Sequence, residues 1–295
     1  MDFGQVLTAM VTSFEANGEV DLEATSMLVE HLIANGSDGL VVAGTTGESP
    51  TLTKEEKLNL FTCVVKAAGG RVPVIAGTGS NNTYESIALT KEAEKVGVDG
   101  IMLVAPYYNK PSQEGLVQHF QAIAQETTLP IMLYNIPGRS VVNMSVETVV
   151  TLSKIDNIVA IKDASGNLNE SAAIIRETAD DFSLYSGDDG MTLPILAIGG
   201  KGVVSVASHI IGNEMQEMVY YYRQGYVQKS AAMHRELLPI MNALFRAPSP
   251  SPVKAALNLA GIPVGGVRLP MVPLNEQEMY ELQQVLPVNE RKAIV

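Results

Sequence analysis

The chain has 295 residues, a formal net charge of −12 and a single cysteine. Its length suits one (β/α)8 barrel of about 250 residues with an appendage, or two ordinary domains, and at that size roughly three quarters of the unfolded surface can be buried without a disulfide or structural metal. The acidic balance argues against sequence-independent binding to nucleic acid or anionic lipid, although a local pocket on an acidic protein can still be positive.

The first ten residues, MDFGQVLTAM, lack a basic stretch leading into an apolar core, and the first Lys or Arg is Lys54. No secretory leader is expected. Apolar runs such as Ile101 to Ala105 are far shorter than a membrane span, and one unpaired cysteine suits a reducing compartment, so the expected location is the cytoplasm. Cys63, between Phe61 and Val64 in a helical pattern, reads as a small apolar filler.

Strand-like runs follow in order at Val6 to Val11, Leu40 to Ala43, Val74 to Ala76, Ile101 to Val104, Ile131 to Tyr134, Ile158 to Lys162, Phe182 to Tyr185 and Val203 to Val206. They alternate with amphipathic stretches, as βαβ units in a parallel sheet do, and several are nearly all apolar, as strands covered on both faces should be. Between them, Asp21 opens a helix that Asn35-Gly36 closes, Thr53-Lys-Glu-Glu56 reads as a capping box before Leu58, Phe61 and Val65, and Gly97 ends another helix. An open doubly wound sheet would carry a glycine fingerprint after its first strand. Ser13-Phe-Glu-Ala-Asn-Gly18 has none, which favours an α/β fold closed into a (β/α)8 TIM barrel. Past Asn213 the strand signal stops, and Met215 to Arg223, Gln228 to Phe245, Pro252 to Ala260 and Asn275 to Val285 read as helices, with a rigid link at Ala247-Pro-Ser-Pro-Ser-Pro252. The expected division is a catalytic barrel over 1–224 and a C-terminal helical domain over 225–295.

A barrel of this kind builds its active site at the C-terminal ends of its strands. Strand six ends in Ile161-Lys162. Burial there would lower the lysine's pKa and supply the neutral amine that attacks a carbonyl, but a structural pair with Asp163 or another acid is equally open on position alone. Tyr134 ends strand five, and Tyr107-Tyr108 follow strand four. Such tyrosines shuttle protons or simply pack. Arg139 suits a carboxylate clamp or a surface salt bridge. Gly44-Thr-Thr-Gly-Glu48 after strand two offers backbone N–H groups and hydroxyls to a small anion, or is only a turn. Gly199-Gly-Lys-Gly202 enters strand eight from the opposite face and is discounted. The four histidines are scattered, and Asp188 and Asp189 lack convergent partners, so no metal and no cofactor are expected.

Taken together, Gly44-Thr-Thr-Gly-Glu-Ser49, Pro106-Tyr-Tyr-Asn109 with Pro111-Ser-Gln-Glu-Gly115, Tyr134-Asn-Ile-Pro-Gly-Arg139, Ile161-Lys-Asp-Ala-Ser-Gly166, Ser186-Gly-Asp-Asp189 and Arg268-Leu-Pro270 resemble the pyruvate-dependent class I aldolase superfamily across nearly the whole chain. The resemblance is strongest to the branch that condenses pyruvate with L-aspartate 4-semialdehyde for lysine and diaminopimelate biosynthesis. It implies that Lys162 forms an imine with pyruvate, that Tyr134, Thr45 and Tyr108 relay protons, and that Tyr108 comes from a neighbouring subunit of a homo-oligomer, dimer or tetramer. It also implies that Thr45 and Thr46 hold the pyruvate carboxylate, Arg139 that of the semialdehyde, and that Gly187 and Val204 line the pocket. A regulatory L-lysine cleft would be built from Ser49, Asn81, Glu85 and Tyr107. There Lys54 and Lys57 replace the histidines of lysine-sensitive enteric members, so inhibition is expected to be weak or absent. The sister activities are N-acetylneuraminate lyase and the 2-keto-3-deoxy sugar acid aldolases, against which the charged fork of Arg139 argues.

Overall fold

The computed structural model describes residues 3–286. The last nine residues of the expected 225–295 domain lie outside them. Eight strands, β1 (Val6–Ala9), β2 (Gly39–Val42), β3 (Val74–Gly77), β4 (Gly100–Val104), β5 (Ile131–Asn135), β6 (Ile158–Asp163), β7 (Ser183–Ser186) and β8 (Gly202–Ser205), pair in parallel and in sequence order into a closed barrel, with β1 also bonded to β8. The helices are α1 (Leu22–Ala34), α2 (Lys54–Ala68), α3 (Thr83–Val96), α4 (Gln113–Ala124), a single turn α5 (Pro137–Ser140), α6 (Val146–Leu152), α7 (Leu168–Glu177), α8 (Thr192–Ala197), α9 (Ser208–Arg223), α10 (Val227–Ala243), α11 (Ser251–Leu259) and α12 (Glu276–Val285).

Alternation along the strands explains why they are apolar on both faces. Leu7, Val41, Ile75, Met102, Met132, Ala160, Tyr185 and Val204 fill the barrel interior, while their neighbours Val6, Leu40, Ala76, Leu103, Leu133, Ile161 and Val203 pack outward under the helices. Phe3 joins the interior set, and the Tyr185 hydroxyl donates to the Gly4 carbonyl at 3.0 Å. Both therefore plug the N-terminal end of the barrel and leave chemistry to the other end.

The helix signals hold at the caps. Asp21 accepts from the Ala24 N–H, the Thr53–Glu56 box is complete in both directions, and Gly97 closes α3 in the left-handed region. The buried face of α2 includes the expected stripe and extends beyond it: Leu60, Phe61, Val64 and Ala68 are buried, and Leu58 and Val65 are half-buried against the same core. Cys63 is only partly buried. It lies at the seam between α1 and α2, its Sγ 3.3 Å from the Leu22 carbonyl and 3.2 Å from Ser26 Oγ. Helix α9 starts at Ser208 rather than Met215, because a break at Ile211, ahead of Gly212, interrupts the apolar periodicity that marks a helix in sequence. The C-terminal helices α10 and α12 pack on one another, α10 against α9, and α11 against α9 and α12.

Candidate active site

Three polar side chains converge inside the C-terminal end of the barrel. Lys162 follows Ala160 on the inward face of β6, so alternation alone turns it inward. Its Nζ lies 4.2 Å from the centroid of the Tyr134 ring on neighbouring β5, with which Lys162 is in register. Thr45, on the turn after β2, is near enough to the Tyr134 hydroxyl to draw its pKa down. A Cβ at Gly187, just past β7, would sit 3.2 Å from Lys162 Cε and 2.7 Å from Ala164 Cβ. The glycine therefore leaves room for the lysine side chain.

Asp163, the structural partner that position left open, faces the other way. Its carboxylate accepts from Asn135 Nδ2, from the Ser165 N–H and Oγ, and from Ser171 Oγ. The acid that does act on Lys162 is Asp189, which is buried after β7 and accepts from the Val206 and Ala207 N–H groups. In sequence, Asp189 stands out only as half of an Asp188-Asp189 pair without convergent metal ligands. Its place beside Lys162 comes from the barrel bringing β6, β7 and β8 together, and no local pattern announces it. Among the described residues no three His, Cys, Asp or Glu side chains form a group able to hold a metal ion.

Burial lowers the Lys162 pKa to about 8; Asp189 opposes the shift and Arg139 reinforces it. Burial likewise pushes Tyr134 up to about 12, against the pull of Thr45 and Arg139. At neutral pH the tyrosine keeps its proton and can donate it, while a usable fraction of the lysine is neutral amine. The rate of adduct formation with a 2-oxo acid is expected to rise with pH through about 8 and then level off, since protonation blocks the attacking lone pair. Borohydride-trapping rates across that range measure it. A flat or falling profile through the same window contradicts this assignment.

A cavity of about 230 Å³ opens above this group, with Thr45, Ser49, Tyr107, Tyr134 and Arg139 in its walls. Arg139, exposed on α5, forms no ion pair among the described residues, so the surface salt bridge is not what the structure shows. Thr46 is buried beside Thr45, and Val204 lies in the interior cluster with Tyr134, but neither borders the cavity. Tyr108 is not brought to Thr45 and Tyr134 within one chain: it is 90% exposed, in the left-handed region at φ 70°. The expected regulatory residues divide. Ser49 and Tyr107 border the same cavity, the Asn81 carbonyl accepts from Asn109 Nδ2 at 2.8 Å, and Lys57 feels Glu85 electrostatically. Lys54 instead borders a surface groove with Lys91 and Lys95 of α3.

The turn itself is bracketed by two strained residues. Ala43 (φ 53°) and Glu48 (φ 55°) both occupy the left-handed region without being glycine, each at a cost on the order of 1 kcal/mol that surrounding contacts must offset. Lys254 of α11 shares a pKa lowered to about 8, first by burial, but it is ion-paired with Glu48, whereas Lys162 forms no ion pair among the described residues; neither lysine is among the residues that line the cavity.

A profile of the dihydrodipicolinate synthetase family matches residues 2–288. Among curated proteins, the chain is similar to 4-hydroxy-tetrahydrodipicolinate synthase 1 of Halalkalibacterium halodurans, 65% identical over 283 residues that make up 96% of each chain. Among solved structures, it is similar to a dihydrodipicolinate synthase from Bacillus anthracis with a TM-score of 0.96 and 59% identity, covering 100% of this chain and 99% of that one. It is similar as well to the Cyanidioschyzon merolae enzyme solved with lysine bound, with a TM-score of 0.95 and 50% identity over 96% and 97% of the two chains.

Proposed function

Because the chain belongs to the dihydrodipicolinate synthetase family, we propose that Lys162 is the amine through which it performs its reaction. That reaction condenses pyruvate with L-aspartate 4-semialdehyde to 4-hydroxy-tetrahydrodipicolinate in lysine biosynthesis, which makes the protein a lyase. The observation that carries the assignment is a buried amine of lowered pKa lying 4.2 Å from the ring of a tyrosine whose hydroxyl lies near Thr45.

Neutral Lys162 adds to the keto carbon of pyruvate, and loss of water leaves an imine. A methyl proton then departs, giving an enamine whose terminal carbon attacks the aldehyde of the semialdehyde. The semialdehyde's amino group displaces Lys162 from the imine carbon, which closes the ring and frees the amine for another turnover. Tyr134 and Thr45 carry protons to and from the reacting atoms. The hydroxyl and backbone N–H donors of Thr45 and Thr46 hold the pyruvate carboxylate, Gly187 and Val204 shape the space around the adduct, and Arg139 binds the carboxylate of the semialdehyde.

Tyr108 completes the proton relay when a second copy of the chain supplies it, which accounts for a tyrosine held almost fully exposed. The working protein is therefore a homo-oligomer, at least a dimer. Its location is the cytoplasm, with Cys63 as a free thiol. The reading is tested by following pyruvate and semialdehyde together: their one-to-one disappearance supports it. Faster release of pyruvate from N-acetylneuraminate or a 2-keto-3-deoxy sugar acid would contradict it.

Feedback by L-lysine is expected to be weak. Lys57 lies close enough to Glu85 for the carboxylate to oppose the burial-driven fall in the lysine's pKa, so a resident ammonium already occupies the field that a bound lysine would use. An inhibition constant in the millimolar range or weaker is expected in steady-state assays. A submillimolar constant would count against this role of Lys57.

A further inference from the structure

The turn that carries Thr45 and Thr46 is closed locally, the Glu48 N–H donating to the Thr45 carbonyl and the Ser49 N–H to the Gly44 carbonyl, and it is tied to distant parts of the chain through Gly47 and Glu48. On its near side, Thr12 Oγ1 donates to the Gly47 carbonyl at 2.7 Å. On its far side the Glu48 carboxylate enters the C-terminal region, where Lys254 Nζ of α11 donates to Oε1 at 3.1 Å and the N–H of Arg268, in the segment between α11 and α12, to Oε2 at 2.9 Å. The side chains of Glu48 and Lys254 are each 2% exposed. Lys254 also donates to the Gly266 carbonyl, and its Nζ lies 4.2 Å from the centroid of the Phe14 ring. The Arg268 guanidinium stacks on the same ring at 4.5 Å and reaches the Gly18 and Thr51 carbonyls and both oxygens of Glu56. The left-handed Glu48 is thus held by two directed bonds into its carboxylate, and neither Glu48 nor Lys254 borders the catalytic cavity.

We propose that Glu48, clamped by Lys254 and the Arg268 N–H, is a positioning residue that holds the Thr45–Thr46 turn in the geometry receiving the pyruvate carboxylate, so that α11 and the segment that follows it set the affinity for pyruvate. This rests on the reading that the turn binds that carboxylate. The turn offers its donors at a fixed separation only while both ends are fixed, and small misplacements of such donors are costly to catalysis. A purely structural clamp predicts something else: loss of folded protein, with each surviving molecule unaltered.

The test compares Glu48→Gln, Lys254→Met and the double variant with the wild type, with active sites counted by borohydride trapping at saturating pyruvate. Each single variant leaves a buried group without its charged partner. Each should raise the KM for pyruvate by about tenfold while the KM for the semialdehyde stays within about twofold. The double variant keeps an amide acceptor for the Arg268 N–H and buries no lone charge, and should recover most of the loss. An unchanged pyruvate KM in the singles, a parallel rise in both KM values, or a double variant that does not fold would each overturn the proposal. Failure of the underlying reading looks different, since Thr46→Val, which removes a donor of the turn itself, would then leave the pyruvate KM at its wild-type value.

Discussion

Lys162→Met is expected to lower turnover by a factor on the order of 10⁴ or more, as loss of a covalent nucleophile does. The informative companion is Lys162→Arg. Arginine keeps the positive charge that Asp189 faces in the wild type, but it does not deprotonate within the accessible pH range and so cannot offer a lone pair. If the lysine served only as a counter-charge to Asp189, arginine would restore much of the activity. If it is the nucleophile, both variants are equally dead and neither traps pyruvate under borohydride. Retention of more than about a tenth of wild-type turnover by the arginine variant would sink the covalent role.

Arg139→Met should reduce kcat/KM for the semialdehyde by roughly 10² to 10³-fold, the usual loss when one partner of a close charge pair is truncated. Imine formation with pyruvate should change far less, provided it is measured above the Lys162 pKa. That condition matters because the Arg139 charge helps to lower the Lys162 pKa. Without it the lysine holds its proton to higher pH, and an assay at neutral pH would mix the two effects. The sign is fixed: the pH–rate profile for imine formation moves to higher pH in the variant. Equal loss in both half-reactions above that pH would remove Arg139 from its assigned contact.

The parts of this account that were legible in sequence share a physical reason. Strands buried on both faces must be apolar, so all eight stood out, and the polar residue that interrupts such a run near its end, Lys162, was conspicuous for the same reason. Caps at Asp21 and Thr53 were legible because their bonds are local. What escaped was set by contacts between distant segments. Asp189 meets the field of Lys162 only because β6 and β7 are neighbours in the closed sheet. The Glu48–Lys254 pair spans 206 residues, and nothing near either side chain announces the other. The full width of the buried face of α2 and the partner that Cys63 meets were not legible, because periodicity sets the spacing of a buried stripe but not which neighbour covers it. The start of α9 was missed where a backbone break suspends the periodicity altogether.

Two buried lysines, Lys162 and Lys254, both have pKa values lowered to about 8, so depressed basicity does not by itself identify the nucleophile. Borohydride reduction of the wild-type protein with pyruvate, followed by peptide mass analysis, separates them. The expected product is one adduct, the mass of pyruvate less water plus two hydrogens, on the peptide that carries Lys162. An adduct on Lys254, or none on either lysine, would contradict the assignment of Lys162 as the reacting amine.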